Sequence, residues 1–306
     1  MTECLANAQT RRTARLNDLA VAAGYEDILR LNGLTSLDAM FAVAEGELLS
    51  KPGLSSWRER VRLTLAVTDA SEAGRLAGDA APPSAMVTYL KRYRSPPREA
   101  VRGVRRSGTG AASVAGVEWE WLHRLRADGI PCPKPIALGE EVTASRERRS
   151  ALLLEAVPGA SLERWMTDRD VADRATVLRL IGPTAALIAR LHRSGYVHRD
   201  LYLSHLFFDP CAGSSGSLHL IDAARVLRPP RGGARWIVKD LASLNFSTPW
   251  RLVSGTDRIR WLKSYLLVPK LDAATRRLVY RVIGKTARIA GHERRRRARL
   301  RSGSER

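Results

Sequence analysis

Gly195-Tyr196-Val197-His198-Arg199-Asp200-Leu201-Tyr202-Leu203-Ser204-His205-Leu206-Phe207-Phe208 sets a His-Arg-Asp triplet after a helix-like run and closes on an apolar strand. His205, just downstream of Asp200, is a candidate metal ligand. A second carboxylate, Asp222, ends another apolar run, Leu218-His219-Leu220-Ile221-Asp222. Two acidic groups at the mouths of neighbouring strands, one free to take a proton and one to hold Mg²⁺, suit phosphoryl transfer.

Such chemistry also needs a cation on the nucleotide phosphates and a group that fixes it. Lys91 sits inside the apolar, β-branched and aromatic run Met86-Val87-Thr88-Tyr89-Leu90-Lys91-Arg92-Tyr93, which reads as a strand. Glu118 shares one helical stripe with Trp121, Leu122 and Leu125. A carboxylate on an apolar stripe requires a partner, and Lys91 is the natural one. Taken singly, the pair reads as a plain salt bridge or as a Lys facing outward beside Arg92. The ordered set Lys91, Glu118, Asp200, His205 and Asp222 is far more specific than any member of it.

The organisation of the chain fits this division of labour. Residues 1–45 carry apolar positions at roughly helical spacing and are expected to form a helical appendage. Residues 46–157 read as strand-rich. In them Lys51-Pro52-Gly53-Leu54-Ser55-Ser56 is a turn-rich loop, residues 57–65 and 86–93 form a hairpin across the small-residue stretch 68–84, and residues 111–127 form a helix that stops at Gly129. The strand 150–155 ends at Glu155, and Pro158-Gly159 breaks it. Residues 158–290 read as helical almost throughout, with Pro183 expected to break or restart the helix 171–193. The tail 291–306, rich in Arg, is expected to be a frayed, solvated end or a dock for anionic lipid or nucleic acid. The fold class is α+β, strand-rich first and helix-rich second.

The net charge of +20 favours anionic partners such as nucleotides, phosphorylated sugars or an anionic membrane face, although an Arg-rich genome accounts for it as readily. The cysteines Cys4, Cys132 and Cys211 are too scattered for a disulfide framework or a zinc site, and a reducing, cytoplasmic setting follows as the expectation. No signal peptide is expected at the polar start, and no run reaches the ~18 apolar residues that a spanning helix needs. Any membrane contact is therefore expected to be peripheral.

The order strand-Lys, helix-Glu, His-Arg-Asp and strand-Asp resembles the protein-kinase-like fold. The wording "HRDLYLSHLFFD" and "LHLIDAARV", with "TYLKRY", "EWEWLHRLRADGIPCPKPIALGE" and "RWIVKDLASLNFS", resembles the lipopolysaccharide core kinases of the Kdo/WaaP family over roughly residues 50–265. That resemblance implies a two-lobed fold with an antiparallel-sheet N-lobe and a mostly helical C-lobe. It also implies use of ATP with Mg²⁺ and phosphate transfer to a heptose or Kdo hydroxyl of the lipopolysaccharide inner core. By the same resemblance Lys91 contacts the nucleotide phosphates and Glu118 braces it. Asp200 is the catalytic carboxylate, flanked by His198 and Arg199 as scaffold, and Asp222 is the metal ligand. His205 stands where protein kinases have Asn and reads either as a second ligand or as scaffold. Gly53, Ser55, Ser56 and Glu155 complete the expected nucleotide side, with no Gly-x-Gly-x-x-Gly loop present. The competing readings are a small-molecule kinase of the aminoglycoside or choline type and a pseudokinase-like regulatory protein. A nucleic-acid binder rests on charge alone.

Overall fold

A computed structural model describes residues 13–49, 55–67, 84–143, 146–167, 174–213, 216–229 and 233–304. The chain divides into two compact units, Met1–Val157 and Pro158–Arg306.

The first unit is built on a seven-stranded antiparallel sheet. Its strands are β1 (Thr13–Leu16), β2 (Leu19–Ala22), β3 (Glu47–Leu48), β4 (Arg58–Val67), β5 (Ser84–Arg94), β6 (Pro135–Thr143) and β7 (Arg146–Glu155). They lie in the order β1-β2-β6-β7-β5-β4-β3. In β4 the buried residues Val61, Leu63 and Leu65 alternate with the exposed Arg62, Thr64 and Ala66, the period of a strand with one covered face. In β7, held between β6 and β5, the run Ala151–Leu154 is buried continuously, as expected where both faces are covered. Leu90 and Leu153 pack in one core with Leu29, Leu34, Leu37 and Met40, contributed by and around the short helices α1 (Glu26–Leu31) and α2 (Leu37–Ala42). The helix α3 (Arg98–Arg106) leads to α4 (Val114–Ala127), which packs on β5, β6 and β7 and buries Trp121, Leu122 and Leu125. Because side chains alternate along a strand, Lys91 points to the face opposite Leu90.

The expectation of an all-helical start is corrected here. Residues 13–22 form the hairpin β1–β2, turning at Asn17, whose φ is +53°. Helical spacing of the apolar residues loses to tertiary pairing, because β2 extends the sheet by pairing Leu19, Ala20 and Val21 with Gly139, Leu138 and Ala137 of β6. A Cβ at position 139 would stand 2.7 Å from Leu19 Cδ2 and 2.8 Å from Leu37 Cδ1, so this close approach requires Gly139. The small-residue stretch expected at the hairpin tip lies outside the described residues from 68 to 83.

The second unit is mostly helical, with α5 (Leu162–Thr167), α6 (Arg174–Arg193), α7 (Ala234–Ser247), α8 (Gly255–Leu266) and α9 (Ala273–Ser304). A three-stranded sheet, β10 (Ser217–Leu220), β9 (Leu206–Asp209) and β8 (Ala160–Ser161), accompanies them. Two expectations are corrected. The helix does not break at Pro183: α6 runs through it, because Gly182 and Pro183 lie on the exposed face, where water can take over the carbonyl that loses its donor. Nor does the chain fray after 290. α9 continues to Ser304 through a run of strong helix formers, and Arg297 Nε donates to Glu293 Oε1 at 3.0 Å one turn away.

Candidate active site

Within the first unit the Lys91 ammonium donates to both carboxylate oxygens of Glu118, at 2.7 and 2.8 Å. Lys91 is 8% exposed and Glu118 is fully buried, so each charge is kept out of water by the other. The helix bearing Glu118 is fixed at its start. Ser113 caps α4 by accepting from Gly116 N at 2.9 Å, and its hydroxyl donates to Glu140 of β6. Glu147 of β7 accepts from Val114 N at 2.9 Å and from the Ser150 hydroxyl at 2.5 Å. Burial raises the Glu147 carboxyl above the ordinary carboxylate range. Two sheet carboxylates thus meet the positive end of the helix that carries the Lys91 partner, an arrangement sequence reasoning missed.

The other expected nucleotide-side residues fall in different places. Ser55 and Ser56 are exposed in the connection from β3 to β4, and Ser55 O accepts from Arg58 N at 2.9 Å. That connection enters β4 two residues before Arg60, the residue paired with Lys91 across the sheet. Gly53 lies outside the described residues. The carboxylate of Glu155 is engaged by the Tyr25 hydroxyl, which donates to Oε2 at 2.8 Å, and its backbone N–H donates to Lys134 O at 2.9 Å. Burial and the neighbouring Glu155 carboxylate hold the Tyr25 phenol well above its usual range. Arg92, the neighbour of Lys91, is buried and ties the sheet to α2 by donating to Met40 O at 2.9 Å and Val43 O at 2.6 Å.

Within the second unit the pairing of β9 with β10 does the positioning. Leu206 sits opposite Leu220, so His205 and Asp222 leave the hairpin at the same end. Ile221 N donates to His205 O at 2.9 Å and locks that end. One donor atom each from Asp200, His205 and Asp222 lies within 4.8 Å of the others. His205 Nδ1 is 2.7 Å from the Asp200 carbonyl, an acceptor, so Nδ1 carries the proton. In the neutral ring Nε2 then holds a lone pair, and it faces Asp222 Oδ2 at 3.8 Å. One ring nitrogen thus braces the loop, and the other is turned toward Asp222.

His198 is scaffold. It is fully buried, its Nε2 donates to Ile221 O at 3.0 Å, and burial lowers its pKa, which keeps the ring neutral. That bond fixes the residue before Asp222, which adopts φ +62°. Arg199 is also left-handed, at φ +66°, and its guanidinium lies 4.9 Å from the Trp236 ring centroid. The residue that enforces this turn is Asp240 of α7. Its carboxylate is fully buried and accepts from His198 N and Arg199 N, both at 2.7 Å. His192 Nε2 approaches the same carboxylate at 3.3 Å, and His192 Nδ1 lies 2.7 Å from the Tyr265 hydroxyl. Asp240 was not singled out from the sequence, although it lies in the "RWIVKDLASLNFS" stretch. A charged residue at a helix position whose neighbours Val238 and Leu241 are buried was the available signal.

Cations surround the carboxylates. Arg225 Nη1 is 3.7 Å from Asp200 Oδ1, and Lys239 donates to Arg199 O. Burial, then the nearby Arg225, lowers the Lys239 pKa, and burial lowers that of Arg199. Burial thus withholds water from the Lys239 and Arg199 cations.

An antiparallel sheet with a buried Lys–Glu pair, followed by a helical unit that carries its acids on a hairpin, is the architecture of the two-lobed protein-kinase-like fold. A solved WaaP in complex with acyl carrier protein shares it, aligning over 90% of this chain and 97% of its own with a TM-score of 0.58 at 22% identity. Residues 104–265 match the model of the Lipopolysaccharide kinase (Kdo/WaaP) family. The chain belongs to that family. The lipopolysaccharide core heptose(I) kinase WaaP of Escherichia coli is 31% identical over 51% of this chain and 61% of its own length. A 3-deoxy-D-manno-octulosonic acid kinase of Stenotrophomonas maltophilia is 34% identical over 42% of this chain and 47% of its own. The chain thus spans about half to three-fifths of the curated relatives it matches.

Proposed function

We propose that this protein is an ATP-dependent kinase that phosphorylates a sugar hydroxyl, heptose or Kdo, of the lipopolysaccharide inner core or a related glycolipid. The observation that carries the reading is the clustering of Asp200, His205 and Asp222 at one end of the β9–β10 hairpin in a chain of this family. In the first unit Lys91, held by Glu118, neutralises charge on the ATP phosphates. In the second, Asp200 accepts the proton of the attacking hydroxyl, and Arg225, 3.7 Å away, orients that carboxylate. Asp222 and His205 would hold Mg²⁺. Two carboxylates with one imidazole lone pair aimed at them fit a hard divalent ion, with the imidazole the softer member of the set. When bound, the ion offsets the negative charge of the phosphates.

The acceptor class supports a position at the cytoplasmic face of the inner membrane, and no helix among the described residues is long and apolar enough to cross a membrane. An acyl carrier protein is a partner class to test by co-purification, since the solved relative is a complex with one.

Nucleotide-dependent stabilisation tests the reading without an acceptor. A non-hydrolysable ATP analogue should raise the melting temperature in the presence of Mg²⁺ and fail to do so in Asp222→Asn. Equal stabilisation of the two proteins, or none of the wild type, would count against the assignment.

A further inference from the structure

The longest helix among the described residues, α9, lines a cavity together with Asp200. Among the described residues, an open cavity of about 970 Å³ in the second unit is lined by Asp200 and Tyr202 and by Lys285, Arg288, Arg295 and Arg296 of α9, with Glu293 and Arg297 of the same helix beside them. The four cations recur at helical spacing, so they form one stripe along α9. The helix is pinned to α7 near the start of that stripe. Thr286 Oγ1 donates to Ala242 O at 3.3 Å, and Asn245 Nδ2 donates to Thr286 Oγ1 at 3.1 Å.

Charge along α9 is one-sided. Between Ala273 and Ser304 the chain has eleven Lys or Arg and a single acid, Glu293. That acid is already paired, accepting from Arg296 Nη1 at 3.4 Å and Arg297 Nε at 3.0 Å. Arg288, Arg295 and Arg296 are exposed and Lys285 half-buried, so the wall is hydrated and can exchange water for an anion at little cost. Like charges set along one helix face repel each other, and a bound anion relieves that repulsion. A flat membrane dock would present such a stripe to open surface. Here the stripe shares a cavity with the carboxylate that meets the acceptor hydroxyl.

We propose that Lys285, Arg288, Arg295 and Arg296 bind phosphate or carboxylate groups on the acceptor glycan and so present its hydroxyl to Asp200. This inference rests on the kinase reading above. The four are binding residues and take no part in proton transfer. Arg295 and Arg296 lie in the region expected from the sequence to be a solvated tail, which on this reading helps to choose the acceptor.

The test compares the full chain with the triple variant Arg288→Gln, Arg295→Gln, Arg296→Gln and with the corresponding triple Arg→Lys. Binding is measured calorimetrically, without ATP, to a deacylated phosphorylated core oligosaccharide. The comparison ligand is the same oligosaccharide with its phosphates removed and its carboxyl groups amidated. The Gln triple should weaken binding of the anionic glycan by roughly 10- to 100-fold, leave the neutral glycan unchanged and be largely rescued by Lys. In turnover the acceptor KM should rise by a similar factor, with the ATP KM and kcat within about twofold of wild type. Equal weakening of the neutral glycan would reduce α9 to a structural support and overturn the proposal. So would a rise confined to the ATP KM, or a loss seen only with anionic phospholipid vesicles and not with the deacylated glycan. If the wild type binds the glycan as described yet transfers no phosphate, the kinase reading fails while the α9 wall stands.

Discussion

His205 holds its loop with one ring nitrogen and turns the lone pair of the other toward the space it shares with Asp222. An Asn side chain can imitate both acts, its amide donating to the Asp200 carbonyl and its oxygen serving as ligand, whereas Leu can do neither. His205→Asn is therefore expected to stay within about tenfold of wild type in Mg²⁺ affinity, and His205→Leu to lose roughly 10- to 100-fold, read by metal titration of analogue-dependent melting. Lys91→Met tests the buried pair in a different currency. It strands the Glu118 carboxylate away from water and should cost about 3–5 kcal/mol in denaturant unfolding, most of it recovered in Lys91→Met with Glu118→Gln. Lys91 and Glu118 were legible in the sequence because a charge among apolar neighbours demands a partner. The contact between the Glu155 carboxylate and Tyr25 was not legible, because Tyr25 comes from far back in the chain.

At the scale of elements, α7 shapes the His-Arg-Asp turn through Asp240, whose two oxygens accept two backbone N–H groups. In Asp240→Asn an amide replaces one oxygen and leaves a buried donor facing a donor. The expected cost is about 1–3 kcal/mol of stability, with kcat falling more than the ATP KM rises, checked by denaturation and steady-state kinetics. The start of α8 gives a pH test. Arg174 donates to Asp257 at 2.6 and 2.9 Å and, with Ser254, holds that carboxyl well below the usual carboxylate range. A depressed carboxylate contributes its full stability above its unfolded pKa of about 3.9 and loses it as pH falls through the lower folded value. Asp257→Asn should thus be clearly less stable than wild type at pH 7, with the gap closing below about pH 4 in melting curves. Strands β4, β5, β7, β9 and β10 and helices α4 to α8 were readable from periodicity. The hairpin β1–β2 was not, because its identity depends on the open edge of β6, which no local window contains. The expected break at Pro183 is absent for a related reason: a proline breaks a helix only where its lost hydrogen bond cannot be replaced by water.

For the whole molecule, the charge of +20 takes on a location as well as a sign, since much of it lies along α9. Association with an anionic acceptor should therefore weaken with ionic strength, by about tenfold between 0.05 and 0.5 M salt, in acceptor KM measurements. The order of motifs was enough to reach the fold and the family, and the roles of Asp200, Asp222 and Lys91 now have geometry that suits them. What the order of motifs withheld was the support: Asp240 beneath the turn, Glu140 and Glu147 at the head of α4, and the cationic wall beside Asp200. Each is a contact between residues distant in sequence and carries no local signature. The central claim is phosphate transfer to a core sugar, and the most direct measurement is of the product. Purified protein is given ATP, Mg²⁺ and a dephosphorylated inner-core oligosaccharide, and ³¹P NMR of the glycan follows new phosphate monoester. The account predicts a monoester on a heptose or Kdo hydroxyl with wild type, and a loss of at least about 10²-fold in its rate with Asp200→Asn and Asp222→Asn, both still folded. No monoester with wild type, or undiminished formation in the Asp222 variant, would contradict it.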